Sequence, residues 1–270
     1  RRNRKERKGE FSHRNGLKKK KKKSCRMLTS KSAVAVVVAL FVIHVEGQSK
    51  IPVNVYYESL CPDSAKFINE QLYPALQQFR GNVDLKLIPF GKASYRTQGS
   101  ETTFECHHGP NECYGNKVHA CAIQHIEGSS YEPNNTKEVL TLNYVNCLME
   151  RAQLKSGEFP GESCARDTDI RNWENIAACA NDTEGSDLLR KAGDETNKLQ
   201  KPLTSVPTVA FRQTYDRDTQ NQAVDNFRAA LCKNLNPAPV ACRNIPGGSA
   251  PGLASFGLVT LVSVILTRLL

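Results

Sequence analysis

Cys61 lies in the stretch "YYESLCPDSAKF", residues 56–67, with Ser64 three places further on. A cysteine thiolate can attack one sulfur of a disulfide and hold half of the broken bridge as a mixed disulfide. A second sulfur at the position of Ser64 would release that half by attacking in its turn. A hydroxyl cannot, although it can donate a hydrogen bond to a neighbouring thiolate. The stretch therefore reads as a thiol–disulfide site working with one sulfur, Cys61 as nucleophile and Ser64 tuning it, or as an inert buried cysteine near a helix start. Asp63, when ionised, opposes the thiolate by charge.

Cysteine parity favours the first reading. Of the ten cysteines, Cys25 sits in a basic prefix. Cys106, Cys113, Cys121, Cys147, Cys164, Cys179, Cys232 and Cys242 are enough for four structural disulfides, whose connectivity the sequence leaves open. Cys61 is then the free one. The sequons "NNT" at Asn134 and "NDT" at Asn181 mark glycosylation sites and fit the same oxidising compartment.

The elements that must position Cys61 are legible around it. "IPVNVYY" (51–57) is rich in β-branched and aromatic residues and reads as a strand. "PDSAKFINEQLYPALQQF" (62–79) spaces Phe67, Leu72, Leu76 and Phe79 as a helix does, with Pro62 suited to its first turn. "NVDLKLIPFG" (82–91) is a second strand, so the three form a βαβ unit with a parallel pair. Cys61 falls between strand end and helix start, where unpaired N–H groups favour a thiolate and where thioredoxin-like proteins place their nucleophile.

Residues 92–180 hold six cysteines and helical patterns such as "TKEVLTLNYVNCLMERA". They predict a disulfide-rich, mainly helical insertion rather than a separate sheet. Beyond it come a helix in "SDLLRKAGDETNKLQ", a short strand in "SVPTVAFR" (205–212) entered through Val206–Pro207, and one final helix in "AVDNFRAALCKNL". A thioredoxin-like fold carries a cis-proline loop at that point, facing the nucleophile, which makes Pro207 the candidate wall of a substrate groove.

The most specific stretch is "CHHGPNECYGNKVHAC", residues 106–121. It resembles the signature of the gamma-interferon-inducible lysosomal thiol reductase family, C-Q-H-G-x2-E-C-x2-N-x4-C. Cys106, His108, Gly109, Glu112, Cys113, Asn116 and Cys121 match; His107 stands where the family has Gln. The likeness extends from "VNVYYESLC" through "KLIPFGKA" and the "VPTV" loop to Cys242. It implies an α/β, thioredoxin-like fold with a helical insertion, and reduction of protein disulfides in endosomes and lysosomes. The family's C-x-x-C is here C-x-x-S, which bears on the catalytic cycle and not on the fold. Cys106, His107, His108, Cys113, His119, Cys121 and His125 include zinc-ligand types, but disulfides with solvent-facing histidines are the expectation, with no metal. Glu112 and His108 also qualify by type as an acid–base pair, although disulfide exchange needs none.

The charge pattern excludes a nucleic-acid role for the body. Residues 1–26 carry 14 Lys and Arg against Glu6 and Glu10, so the remaining 244 of the 270 residues sum to −2 out of a total of +10. The prefix, with "KKKKKK" just before the first methionine, Met27, is expected to be upstream sequence conceptually translated, a basic arm being the competing reading. Residues 27–47 have the pattern of a secretory signal peptide. Residues 48–245 form the thioredoxin-like domain, and the apolar tail 246–270 resembles a GPI-anchor signal, with a marginal tail helix as the alternative. The expected function is a thiol oxidoreductase of the secretory pathway, lysosomal or extracellular. It would act on disulfide-bonded proteins without a resident cofactor, glutathione or cysteine donating electrons. The alternative is a non-catalytic, secreted or surface-anchored binding protein on the same fold.

Overall fold

A computed structural model describes residues 50–99, 101–152 and 159–245. The prefix, the signal-peptide pattern and the C-terminal tail lie outside these residues. The chain enters a central strand, β1 (Ile51–Tyr57), whose successive side chains are nearly all buried, as a strand covered on both faces requires. Helix α1 (Pro62–Phe67) follows and runs through a π-helical turn, Ile68–Leu72, into α2 (Tyr73–Phe79). The π turn sits where Pro74 has no N–H to donate; the Tyr73 N–H reaches the Ile68 carbonyl five residues back.

Strand β2 (Val83–Pro89) then pairs parallel to β1, Val53 opposite Leu85, completing the βαβ unit. Strand β5 (Thr208–Phe211) returns much later on the other side of β1 and antiparallel, Tyr56 opposite Thr208, giving the order β2-β1-β5. The sheet is mixed and α/β in class, with the connection order of a thioredoxin-like domain. On one face Val53, Val55 and Tyr57 pack against Phe67, Ile68, Leu72 and Phe79. On the other, Tyr56, Ile88 and Ala210 meet Ala192 and Leu199.

The stretch between β2 and β5 is mainly helical: α3 (Pro110–His125), α4 (Lys137–Arg151), α5 (Gly161–Asp167), α6 (Trp173–Asn181) and α7 (Thr183–Leu199). It has a core of its own, in which Val118, Ile126, Tyr144, Leu148 and Ile176 surround the disulfides Cys121–Cys179 and Cys147–Cys164. The sequence reading of this region needs one correction. It opens with an antiparallel hairpin, β3 (Ser94–Gln98) and β4 (Glu101–Glu105). The hairpin exposes most of its polar side chains and turns inward only Tyr95, Thr102 and Phe104, too few to register as a strand pattern against so polar a background. Tyr95 packs on Phe90 and its hydroxyl donates to Asp194 of α7, tying the hairpin to the domain.

A second correction concerns the last helix, which is two: α8 (Arg217–Asp225) and α9 (Phe227–Asn234). Asn226 leaves helical geometry and its Oδ1 accepts the Ala229 N–H at 3.0 Å, starting a new helix rather than continuing the old one. Cys232 of α9 is bonded to Cys242.

Candidate active site

Cys61 occupies the first position outside α1, between the end of β1 and Pro62, with an extended backbone. Its N–H donates to the Glu58 carbonyl at 3.3 Å and its own carbonyl accepts the Ala65 N–H at 3.0 Å, so the residue joins the turn to the helix. It is the free cysteine among the described residues, and it is 5% exposed. Ser64, one turn on, is fully buried, and its Oγ accepts the Glu58 N–H at 3.4 Å. Glu58 thus fixes through its backbone both the sulfur-bearing residue and the serine in the second position.

Pro207 is brought to the same end of the sheet by strand pairing. Because Thr208 pairs with Tyr56, the proline just before β5 lies beside the strand end that leads to Cys61. The Val206–Pro207 peptide is cis. Gln220, buried on α8, holds this loop from both sides: its Nε2 donates to the Pro207 carbonyl at 2.8 Å and its Oε1 accepts the Val209 N–H at 2.6 Å. Between the proline loop, α1 and α8 runs a groove of about 620 Å³ whose walls include Phe67, Val206, Pro207 and Val224, with Asp63 and Lys66 at its edge.

The 106–121 stretch closes the site from the opposite side. Cys106–Cys113 is a disulfide across the start of α3, spanning 5.6 Å between Cα atoms, with Gly109 at φ +86° leading into the helix. Asn116 Oδ1 accepts the Ser59 N–H at 2.9 Å, and Ser59 Oγ donates to the Glu112 carbonyl at 3.2 Å. A Cβ on Gly115 would stand 2.5 Å from Ser59 Oγ, so only glycine lets α3 approach the Cys61 turn this closely. Tyr57 OH and His119 Nδ1 lie 2.9 Å apart beneath it. Burial alone takes the His119 imidazole down to about 3, which keeps it neutral.

Two carboxylates are sealed in this contact. Glu58 and Glu112 are both fully buried. His108 Nδ1 lies 2.5 Å from Glu112 Oε2 and 3.4 Å from Glu58 Oε2, while His107 Nδ1 lies 3.2 Å from the same Glu58 oxygen. Burial above all raises the Glu112 carboxyl; the His108 N–H pulls it back, and the charge of Glu58 adds to the rise. The Lys92 N–H donates to Glu58 Oε1 at 2.7 Å. Gly91, at φ +61°, is the one residue type that fits beside this carboxylate, since a Cβ there would stand 2.2 Å from the Glu58 side chain.

The chemistry open to this arrangement is attack by one sulfur, at the C-terminal end of the central strand, on a disulfide brought to the turn beside the proline loop. Cys121, Cys147, Cys164, Cys179, Cys232 and Cys242 are all in disulfides away from that turn. The oxidised state of Cys106, Cys113 and Cys121 also removes them as thiolate ligands for zinc. Asn134 and Asn181 are exposed. Sequence reasoning passed over Glu58, Ser59 and Gln220. An acidic residue between an apolar strand and the cysteine in "VYYESLC" was a usable sign of a buried partner; for Gln220 no sign existed.

The family model and the curated relatives agree on one family. The family described as Gamma interferon inducible lysosomal thiol reductase (GILT) matches residues 52–168. A "Gamma-interferon-inducible lysosomal thiol reductase-like protein" of Anopheles gambiae is 61% identical over 86% of this chain and 97% of its own length. "GILT-like protein 1" of Drosophila melanogaster is 49% identical over 88% and 94%. Among solved structures, Chlamydia trachomatis DsbA superposes with a TM-score of 0.44 at 14% identity, over 65% of this chain and 83% of that one.

Proposed function

The chain belongs to the gamma interferon inducible lysosomal thiol reductase family, and from that premise we propose that it reduces or exchanges disulfide bonds in proteins through Cys61 alone. The observation that carries this reading is the cysteine inventory. Eight cysteines are locked in four disulfides, and the one left free among the described residues stands at the strand–helix junction beside the proline loop.

The Cys61 thiolate attacks one sulfur of the substrate disulfide; that bond breaks, a mixed disulfide forms, and the other substrate sulfur leaves as a thiolate that takes up a proton. Ser64 Oγ offers no sulfur for the second attack. A small thiol such as glutathione or cysteine therefore attacks Cys61 Sγ and frees the first substrate sulfur. A second small thiol then regenerates Cys61. Two small thiols are oxidised to one disulfide, and one protein disulfide is reduced to two thiols. Pro207 and the groove beside it hold the substrate backbone, and Ser64 lends its hydroxyl proton to the thiolate.

The four disulfides and the two exposed sequons support an oxidising, glycosylating route through the secretory pathway, ending in the lysosome or outside the cell. Among the described residues no helix is long and apolar enough to cross a membrane.

The test is trapping. Mixed with a disulfide-bonded protein in the absence of small thiols, the chain should accumulate as a covalent adduct through Cys61, released on addition of glutathione. Ser64→Cys should discharge that adduct by itself. A second reading, a binding protein that has lost its cycle, is favoured by the low exposure of Cys61. It predicts no adduct at all from a correctly folded chain.

A further inference from the structure

We propose that Glu58, His107 and His108 form a site for a divalent cation of borderline softness, zinc(II) or a close analogue, beside the turn that carries Cys61. The three residues each offer one ligand atom, and these atoms all lie within 4.8 Å of one another. Glu58 Oε2 is 3.2 Å from His107 Nδ1 and 3.4 Å from His108 Nδ1. Two ligands of one tetrahedral zinc, each bound at about 2.1 Å, stand about 3.4 Å apart, so both edges already have the required length. Two imidazoles and a carboxylate are also the donor types such ions take.

The carboxylate is built in place. Its other oxygen, Oε1, accepts the Lys92 N–H, and Gly91 leaves room for it where any side chain would intrude. A ligating carboxylate held by an outer hydrogen bond in this way cannot swing away. The imidazoles form the open side, with His107 46% and His108 21% exposed, so an ion can enter from solvent. Charge gives an independent reason. Two fully buried carboxylates, Glu58 and Glu112, face only histidine in their ion pairs among the described residues, with no Lys or Arg. Buried negative charge of this kind calls for a compensating cation. Glu112 Oε2 lies 2.5 Å from His108 Nδ1; when the ion takes that nitrogen its proton leaves, and the Glu112 carboxylate stays beside the site as an outer negative charge.

His107 is the residue in which this chain departs from the family signature, which has glutamine there. The family signature alone therefore does not supply this ligand. It also stands whether or not Cys61 turns over. Because the Glu58 backbone holds both Cys61 and Ser64, an ion bound to its side chain fastens the turn that presents the thiol. The other grouping of ligand types, His125, Cys179 and Glu184, offers no thiolate, since Cys179 is bonded to Cys121.

The experiment is calorimetric titration of zinc chloride into the full chain carrying Cys25→Ser and Cys61→Ser, which removes the two cysteines outside the four disulfides, alongside His107→Gln and His108→Gln in the same background. Cobalt(II) absorption provides a second readout of tetrahedral nitrogen and oxygen ligation. One equivalent of zinc should bind, weakened at least about 10-fold in each histidine variant, with the cobalt bands lost. His107→Gln restores the family residue, and circular dichroism confirms that each variant is folded. Binding unchanged in folded His107→Gln and His108→Gln, or no equivalent bound by the parent, overturns the site.

Discussion

Under the proposed function, Cys61 and Ser64 set the chemistry between them, and their neighbours set its conditions. The second position has oxygen where a resolving sulfur would be, and that oxygen is spent accepting the Glu58 N–H. At the same scale, His119 carries a cost that depends on pH. Its folded-state value, about 3, lies below the ordinary 6.5 because burial disfavours the imidazolium. The unfolded chain therefore binds a proton that the folded chain refuses, and stability falls as pH drops from about 6.5 toward about 3. The loss is about 1.4 kcal/mol per pH unit. Chemical denaturation of wild type and His119→Gln at pH 7 and pH 5 should show the wild type losing about 2 kcal/mol more than the variant over that interval. Equal losses would mean that His119 is not held neutral. Residue types alone could mark Cys61, the signature positions and Pro207. They could not show what Glu58 meets: its place between an apolar strand and the cysteine signals burial, but the histidines that face it lie about fifty positions away.

Among the elements, the βαβ unit was readable because β1, α1 and α2 are covered by the core and their apolar periods are clean. The hairpin β3–β4 was not, since only Tyr95, Thr102 and Phe104 turn inward. The break between α8 and α9 was missed for a local reason: Asn226 is neutral within a polar helix pattern, and its capping bond shows only in three dimensions. The helices of the insertion are held both by packing on the sheet, through Leu142, Val145 and Ala192, and by their own disulfides. Cys121–Cys179 joins α3 to α6 across 58 residues. Closing a loop of that length restricts the unfolded chain by about 4 kcal/mol. Replacing both cysteines by alanine should destabilise the domain by about that much in a denaturant titration. A change below about 1 kcal/mol would show that α3 is held by packing alone. Asn226→Ala should cost about 1 kcal/mol in the same assay, through the lost cap of α9.

For the molecule as a whole, three separate parts of the chain come together around the C-terminal end of β1: the Cys61 turn, the Pro207 loop some 150 residues later, and the start of α3. The family resemblance lies in the sequence of all three, so the family and the fold class are legible in the sequence. What no sequence pattern carried was the docking of α3 on Glu58 and Ser59, and which of the eight bridged cysteines pairs with which. The central claim is that the free Cys61 sulfur works without a partner. It is tested most directly by steady-state reduction of a disulfide-bonded protein with glutathione as donor, comparing wild type, Cys61→Ser and Ser64→Cys. Turnover in the wild type, its abolition in Cys61→Ser and faster turnover in Ser64→Cys are the predicted results. Turnover that survives Cys61→Ser, or none from a correctly folded wild-type chain, would contradict the claim.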